Sequence, residues 1–264
     1  MKKQAWKCLS GSSLKVMAML TMLIDHLGCY LLNDIPSMNV PLFDLWGISP
    51  TIYSLCRTIG RTAFPLYAFL LVEGFTHTRD KRKYGLNLFI FALVSEIPWN
   101  LVHSGTWLHP TQNVFFTLFL GFCGLYMLEH LKSRPLILVA GITSLLAFAW
   151  IFRADYDFIG IGVILCLYLL REHSILRLGI GVTLLRAGWR ATPAFVLMEF
   201  YNGKRGFIQG RAGKYICYAF YPFHLVILFR FSEIKRHFVP PAVLREKAGP
   251  LERRYSAVSA RRFK

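Results

Sequence analysis

An all-α, polytopic transmembrane helical bundle of about eight or nine spans is the fold class this sequence predicts, and three observations predict it. Apolar residues fill 55% of 264 positions, and the mean hydropathy is +0.43. The apolar stretches recur at roughly the 17 to 25 residues that a bilayer-crossing helix needs. The basic residues, 31 against 14 acidic for a net charge of +17, fall mostly in short connections between those stretches. In a soluble chain such a charge would suggest nucleic acid. Spread over short loops it marks the cytoplasmic side of a membrane protein, so nucleic acid is not expected as a partner. The six cysteines are scattered, without metal-ligand spacing or a disulfide framework, and no metal is expected.

From the N-terminus, the basic stretch MKKQAWK leads into an apolar run too long for a cleaved signal and without a small-residue cleavage site, so residues 14–33 read as a retained first span with a cytoplasmic N-terminus. The loop 34–50 carries no Lys or Arg. The second span, 51–77, contains Pro65 as a kink, and the next connection, 78–84, holds four basic residues and faces inward. Spans at 85–102, 113–131, 135–152 and 158–170 alternate in the same sense. Residues 178–201, with Arg186, Arg190 and Pro193, read either as one interrupted span or as two half-membrane segments meeting near Gly188. The first puts the basic loop 202–214 outside; the second puts it inside. A membrane domain is expected over 1–231, and a basic, disordered tail over 232–264.

Polar residues at membrane depth are the functional candidates, because an ionisable group there is costly unless paired or hydrated. Asp25 and His26 sit within the first span. As neighbours on a helix they point about 100° apart, so they form no mutual dyad and each needs a partner on another helix, either as structural glue or as a working site. Arg57 and Arg61 share one face of the second span; Asp25 is the expected counterion for Arg61, with Arg57 reaching toward headgroups. Glu73 and His77 form a pair near the inner end. Glu96 lacks a local basic partner and is either neutral or bridged to Arg61. Gln112 and Asn113 have the look of an N-cap. Lys204 and Arg205, between glycines beside Asn202, suit a phosphate. Tyr221 and His224 open the last span.

The phrases LTMLIDHLG (20–28), GRTAFPLYAFLLVEGF (60–75), FALVSEIPWNL (91–101), QNVFFTL (112–118), YNGKRG (201–206) and YAFYPFHL (218–225) occur in the order of the motifs of the TraX family, which the chain resembles from about residue 14 to 230. That family comprises inner-membrane proteins of conjugative pili, and its activity is acetylation of the pilin N-terminus. More distantly it resembles membrane acyltransferases. The resemblance implies an acetyl-CoA-dependent N-acetyltransferase of the bacterial inner membrane, with membrane lipids around it and a pilin-like protein as acceptor. His26 would be the general base, Asp25 an orienting group, and Arg61 or Asn113 the donor to the thioester oxygen. Lys204 and Arg205, with Asn202, Gln112 and Asn113 nearby, would hold CoA, and Arg82 and Lys83 would form a second phosphate site. His224 would bind the acceptor or serve as an alternative base, while Glu73, Glu96 and Tyr221 are secondary. Other readings are an O-acyltransferase acting on a surface glycan or lipid, a small-anion transporter, and a non-catalytic pilus assembly factor.

Overall fold

A computed structural model describes residues 6–45, 49–185 and 187–238. Arg186 and most of the expected tail, 239–264, lie outside them. Among the described residues the chain is all-helical: α1 (Gly11–His26), continued by a π-helical stretch (Leu27–Leu32), then α2 (Ile52–Gly60), α3 (Ala63–His77), α4 (Lys81–Ser104), α5 (Val114–His130), α6 (Pro135–Ile151), α7 (Asp157–Leu169), α8 (Ser174–Leu184), α9 (Thr192–Glu199) and α10 (Gly210–Phe238). The last helix runs past the domain boundary expected at 231.

The chain is a membrane protein, but its helices are unequal. The stretches Gly11–Leu32, Ile52–His77, Lys81–Ser104 and Gly210–Lys235 are long and apolar enough to cross a bilayer, while α5, α6, α7 and α8 are apolar but shorter. Hence four stretches, against eight or nine expected, meet the length of a full span. Six helices close into a ring: α1 packs on α3, α3 on α7, α7 on α5, α5 on α4, α4 on α10, and α10 returns to α1. Helix α2 lies on α1, α6 on α5 and α7, and the α8–α9 pair on α7 and α3. Large apolar side chains such as Leu93 of α4, Leu136 of α6 and Phe223 of α10 point outward. In lipid such residues need no cover, and close packing rather than water exclusion holds the ring together.

Regular helix is broken at two places in the interior. Pro65 has no N–H to give to the carbonyl of Arg61, and the second span is interrupted at Arg61 and Thr62, whose amides fall back on i−3 carbonyls (Arg61 N to Thr58 O, 3.2 Å; Thr62 N to Ile59 O, 3.1 Å). The first span changes to π geometry immediately after His26. Such stretches often accompany functional sites.

The segment 178–201 takes the two-segment form. Helix α8 runs inward, a short turn at Gly188–Ala191 reverses the chain, and α9 returns beside it. Ser174 at the start of α8 donates to Glu199 at the end of α9 (2.7 Å), and Arg177 also pairs with Glu199. The loop after α9 therefore lies on the N-terminal face. Its Lys204 and Arg205 carbonyls accept from the amides of Gly11 and Ser12 (both 2.8 Å), and Ser12 Oγ donates to Arg205 O and accepts from Ile208 N. These contacts satisfy amides at the start of α1 that no helix turn can reach. Gly206 holds φ +88°, where a Cβ would also strike Ser10. At the opposite face Lys235 donates to Leu31 O (2.7 Å) and lies 3.3 Å from Asp34, so the last helix ends beside the end of the first. Accessibility labelling of single cysteines at Gly203 and Lys132 is expected to report one side of the membrane, and at Asn39 the other. A single-span segment would put Gly203 with Asn39.

Candidate functional site

Polar groups from several helices meet at one depth. At about 1.5 Å per residue, His26 lies about 22 Å along α1, His224 about 21 Å along α10 and Glu96 about 22 Å along α4, all measured from the N-terminal face. Helices α5 and α7 begin at Asn113 and Asp157, near the same level, and the break at Arg61 falls there too.

At the centre His26 Nδ1 and His224 Nε2 are 2.7 Å apart, with the rings stacked at 5.0 Å and 12°. The neighbouring bonds assign the protons. His224 Nδ1 is 2.8 Å from Phe220 O, and a carbonyl only accepts, so Nδ1 of His224 carries hydrogen and its Nε2 accepts. The proton in the pair then belongs to His26 Nδ1, and the lone pair of His26 Nε2 is left available. His224 has both nitrogens engaged in this arrangement. His103 is held the same way: its Nδ1 bonds Trp99 O (2.9 Å), and its Nε2 lies 2.9 Å from the hydroxyl of Tyr30, one turn beyond His26.

A cavity of about 300 Å³ lies on one side of this pair, walled by Asp25, His26, Tyr30, Arg57, Arg61 and the turn Asp155–Asp157. Asp25 accepts from Arg57 Nη1 at 2.7 Å, so its ion-pair partner is Arg57 rather than the expected Arg61. The break after Gly60 explains the exchange: the arginines no longer share a straight helix face, and Gly60 brings α2 so close that a Cβ there would collide with the Asp25 carboxyl. Arg57 is thus engaged at depth and not extended to the headgroups. Arg61 faces the same cavity without bonding Asp25 or Glu96 among the described residues. Glu96 instead accepts from the Asn113 side chain at 2.6 Å. In the turn, Asp155 keeps surface open to the cavity that Arg61 also lines. Arg153 and Asp157 flank it at positive φ, +55° and +49°.

A second cavity, of about 650 Å³, reaches from the N-terminal face to Tyr221, about 16 Å along α10. Lys15, Arg79, Lys83, Arg205 and Lys214 line it, with Glu73, His77 and Asp80 as the acidic and titratable counterparts, and aromatic and aliphatic side chains line its deep end. Of the expected phosphate contacts, Arg205 and Lys83 reach this cavity, while Lys204 and Arg82 are not among its lining residues. Asn202 closes a turn on the Lys204 amide (2.9 Å). Gln112 pairs its amide with Arg153 O (2.9 Å), and Asn113 caps α5 by accepting from Phe115 N (3.0 Å) while its NH₂ group bonds Ala92 O (2.8 Å) and Glu96. Both donors of Asn113 are spent, and it has none for a ligand. The Glu73–His77 pair is present at 3.7 Å. Sequence reading passed over Lys15, Tyr30, His103 and Asp155; the signal for Tyr30 was its position four residues after His26.

Removing the cation from a half-desolvated ion pair leaves a carboxylate unpaired. Arg57→Ala is expected to cost on the order of 2 kcal/mol, less than for a fully buried pair because solvent reaches part of both groups. Arg61→Ala should cost clearly less, and Gly60→Ala should destabilise by forcing Asp25 aside. Unfolding in detergent compares the three.

A family profile described as TraX protein matches residues 10–232. A protein of Dichelobacter nodosus described as "Probable fimbrial assembly protein FimC, serogroup H1" is 29% identical over 251 residues, with 83% of this chain and 94% of that protein covered. No solved structure matches.

Proposed function

The chain belongs to the TraX family, and from that premise we propose that it is a bacterial inner-membrane acetyltransferase that moves an acetyl group from acetyl-CoA to the N-terminal amine of a pilin-like protein. The observation that carries this reading is the His26–His224 hydrogen bond, set between a cationic cavity on one face and a mixed-charge cavity toward the other. The name of the Dichelobacter relative supports the link to pili.

The cavity that opens on the N-terminal face suits a CoA thioester. Its mouth carries five cationic side chains for phosphates, and its apolar depth admits an acyl-pantetheine arm as far as Tyr221. This puts the N-terminal face in the cytoplasm, where short basic loops belong. The acceptor enters the other cavity. Its amine, once neutral, attacks the thioester carbon; the C–N bond forms and the C–S bond breaks. His26 Nε2 takes the amine proton, and the thiolate leaves to be protonated as CoA thiol. His224 fixes the His26 tautomer through its bond to Nδ1, and the Asp25–Arg57 pair holds α1 and α2 together beside it.

Purified protein incubated with labelled acetyl-CoA and a pilin N-terminal peptide tests the reading. His26→Gln and His26→Ala are expected to lower turnover at least about 10²-fold. Lys15→Gln and Arg205→Gln are expected to raise KM for acetyl-CoA about tenfold each, equivalent to about 1.4 kcal/mol, with smaller changes in kcat. Transfer that survives both His26 substitutions overturns the assignment. A non-catalytic role in pilus assembly is the second reading, favoured by the relative's name. Under it, His26→Gln would leave pilus assembly intact, and the wild-type protein would transfer no label.

A further inference from the structure

Transfer of an acyl group needs, besides a base, a donor for the carbonyl oxygen as it gains charge. The two side chains that the sequence suggests for this task are both unsuited by their surroundings. Asn113 has given its NH₂ group to Ala92 O and Glu96, and Arg61 lines the cavity on the far side of His26 from the thioester path.

One hydroxyl is left over where the two cavities approach each other. Tyr221 is 3% exposed, and its buried Oη has the Val114 amide beside it but no acceptor for its proton. A buried hydroxyl proton without an acceptor is unfavourable and calls for an explanation. The ring lines the deep end of the cationic cavity, 6.4 Å from the His26 ring and 5.6 Å from that of His224, with its edge against Phe115 at 5.3 Å. The start of α5 lies beside it. There the Phe115 and Phe116 amides are taken by Asn113 Oδ1 and O, while the Val114 amide faces the Tyr221 oxygen. The 17-residue helix α5 adds the partial positive charge of its N-terminus.

We propose that the Tyr221 hydroxyl, with the Val114 amide, donates the hydrogen bonds that hold the acyl carbonyl oxygen during transfer. Tyr221 is then a catalytic residue whose proton has no acceptor until the thioester arrives. The amine attacks the carbonyl carbon from the His26 side, negative charge collects on the oxygen facing Tyr221 and α5, and both donors keep their protons. When the C–S bond breaks, the charge leaves with sulfur, and the oxygen reverts to an amide carbonyl. This assignment rests on the acetyltransferase reading.

Tyr221→Phe removes the donor and keeps the ring. Its expected effect is a fall in kcat of about 10²-fold or more, with KM for acetyl-CoA within about twofold of wild type. Thermal unfolding, with and without a non-transferable thioether analogue of acetyl-CoA, is expected to show unchanged or higher stability and an unchanged analogue-induced shift, because the hydroxyl proton has no native acceptor to lose. A kcat within about threefold of wild type overturns the assignment of Tyr221 alone, as does a loss of thermal stability large enough to mark the hydroxyl as structural. A wild-type protein that transfers no acyl group overturns the assignment together with the reading beneath it.

Discussion

The hydrogen bond between His26 and His224 is the interaction on which the arrangement at membrane depth depends. It joins the first and last helices of the ring at membrane depth, where an ionisable ring is costly unless paired or hydrated. The Phe220 carbonyl fixes His224, His224 fixes His26, and the free nitrogen of His26 is the end of that sequence. Breaking any link releases a choice of tautomer as well as a contact.

Other features serve the same level. The π-helical stretch starts at the residue after His26, the second span breaks at Arg61, and α5 and α7 begin near the same depth. Each interruption frees backbone groups that a continuous helix would have consumed, and each lines or flanks a cavity. The loop 202–209 is stitched onto the start of α1, which places Arg205 at the mouth of the cationic cavity and ties that mouth to the helix carrying His26. In the proposed reaction the two substrates meet only at this level.

Much of this was legible from residues alone, and the exceptions have physical causes. Hydropathy and loop charge gave the membrane class, and the expense of Asp25 and His26 at depth pointed to a turn of helix that lines a cavity. Asn113 was readable as a cap because capping is local. The choice between one span and two half-segments at 178–201 was not, since Arg190, Pro193 and Gly188 permit both, and tertiary contacts with Leu9, Gly11 and Ser12 decide it. The partner of Asp25 was misassigned because the i, i+4 rule assumes a straight helix, and the chain breaks after Gly60. His26 and His224 are 198 positions apart, a pairing that no periodicity reveals. The expected eight or nine spans are not confirmed: four described stretches meet the length of a full span, and short helices such as α5 and α7 carry the same apolar composition as long ones.

The central claim, that one histidine pair serves substrates arriving from two faces, is most directly tested in sealed proteoliposomes of defined orientation. Labelled acetyl-CoA is supplied on the N-terminal face and acceptor peptide on the opposite face. The account predicts label on the peptide in this arrangement and none when both are confined to the opposite face. Label that forms only when donor and acceptor share a face would contradict it.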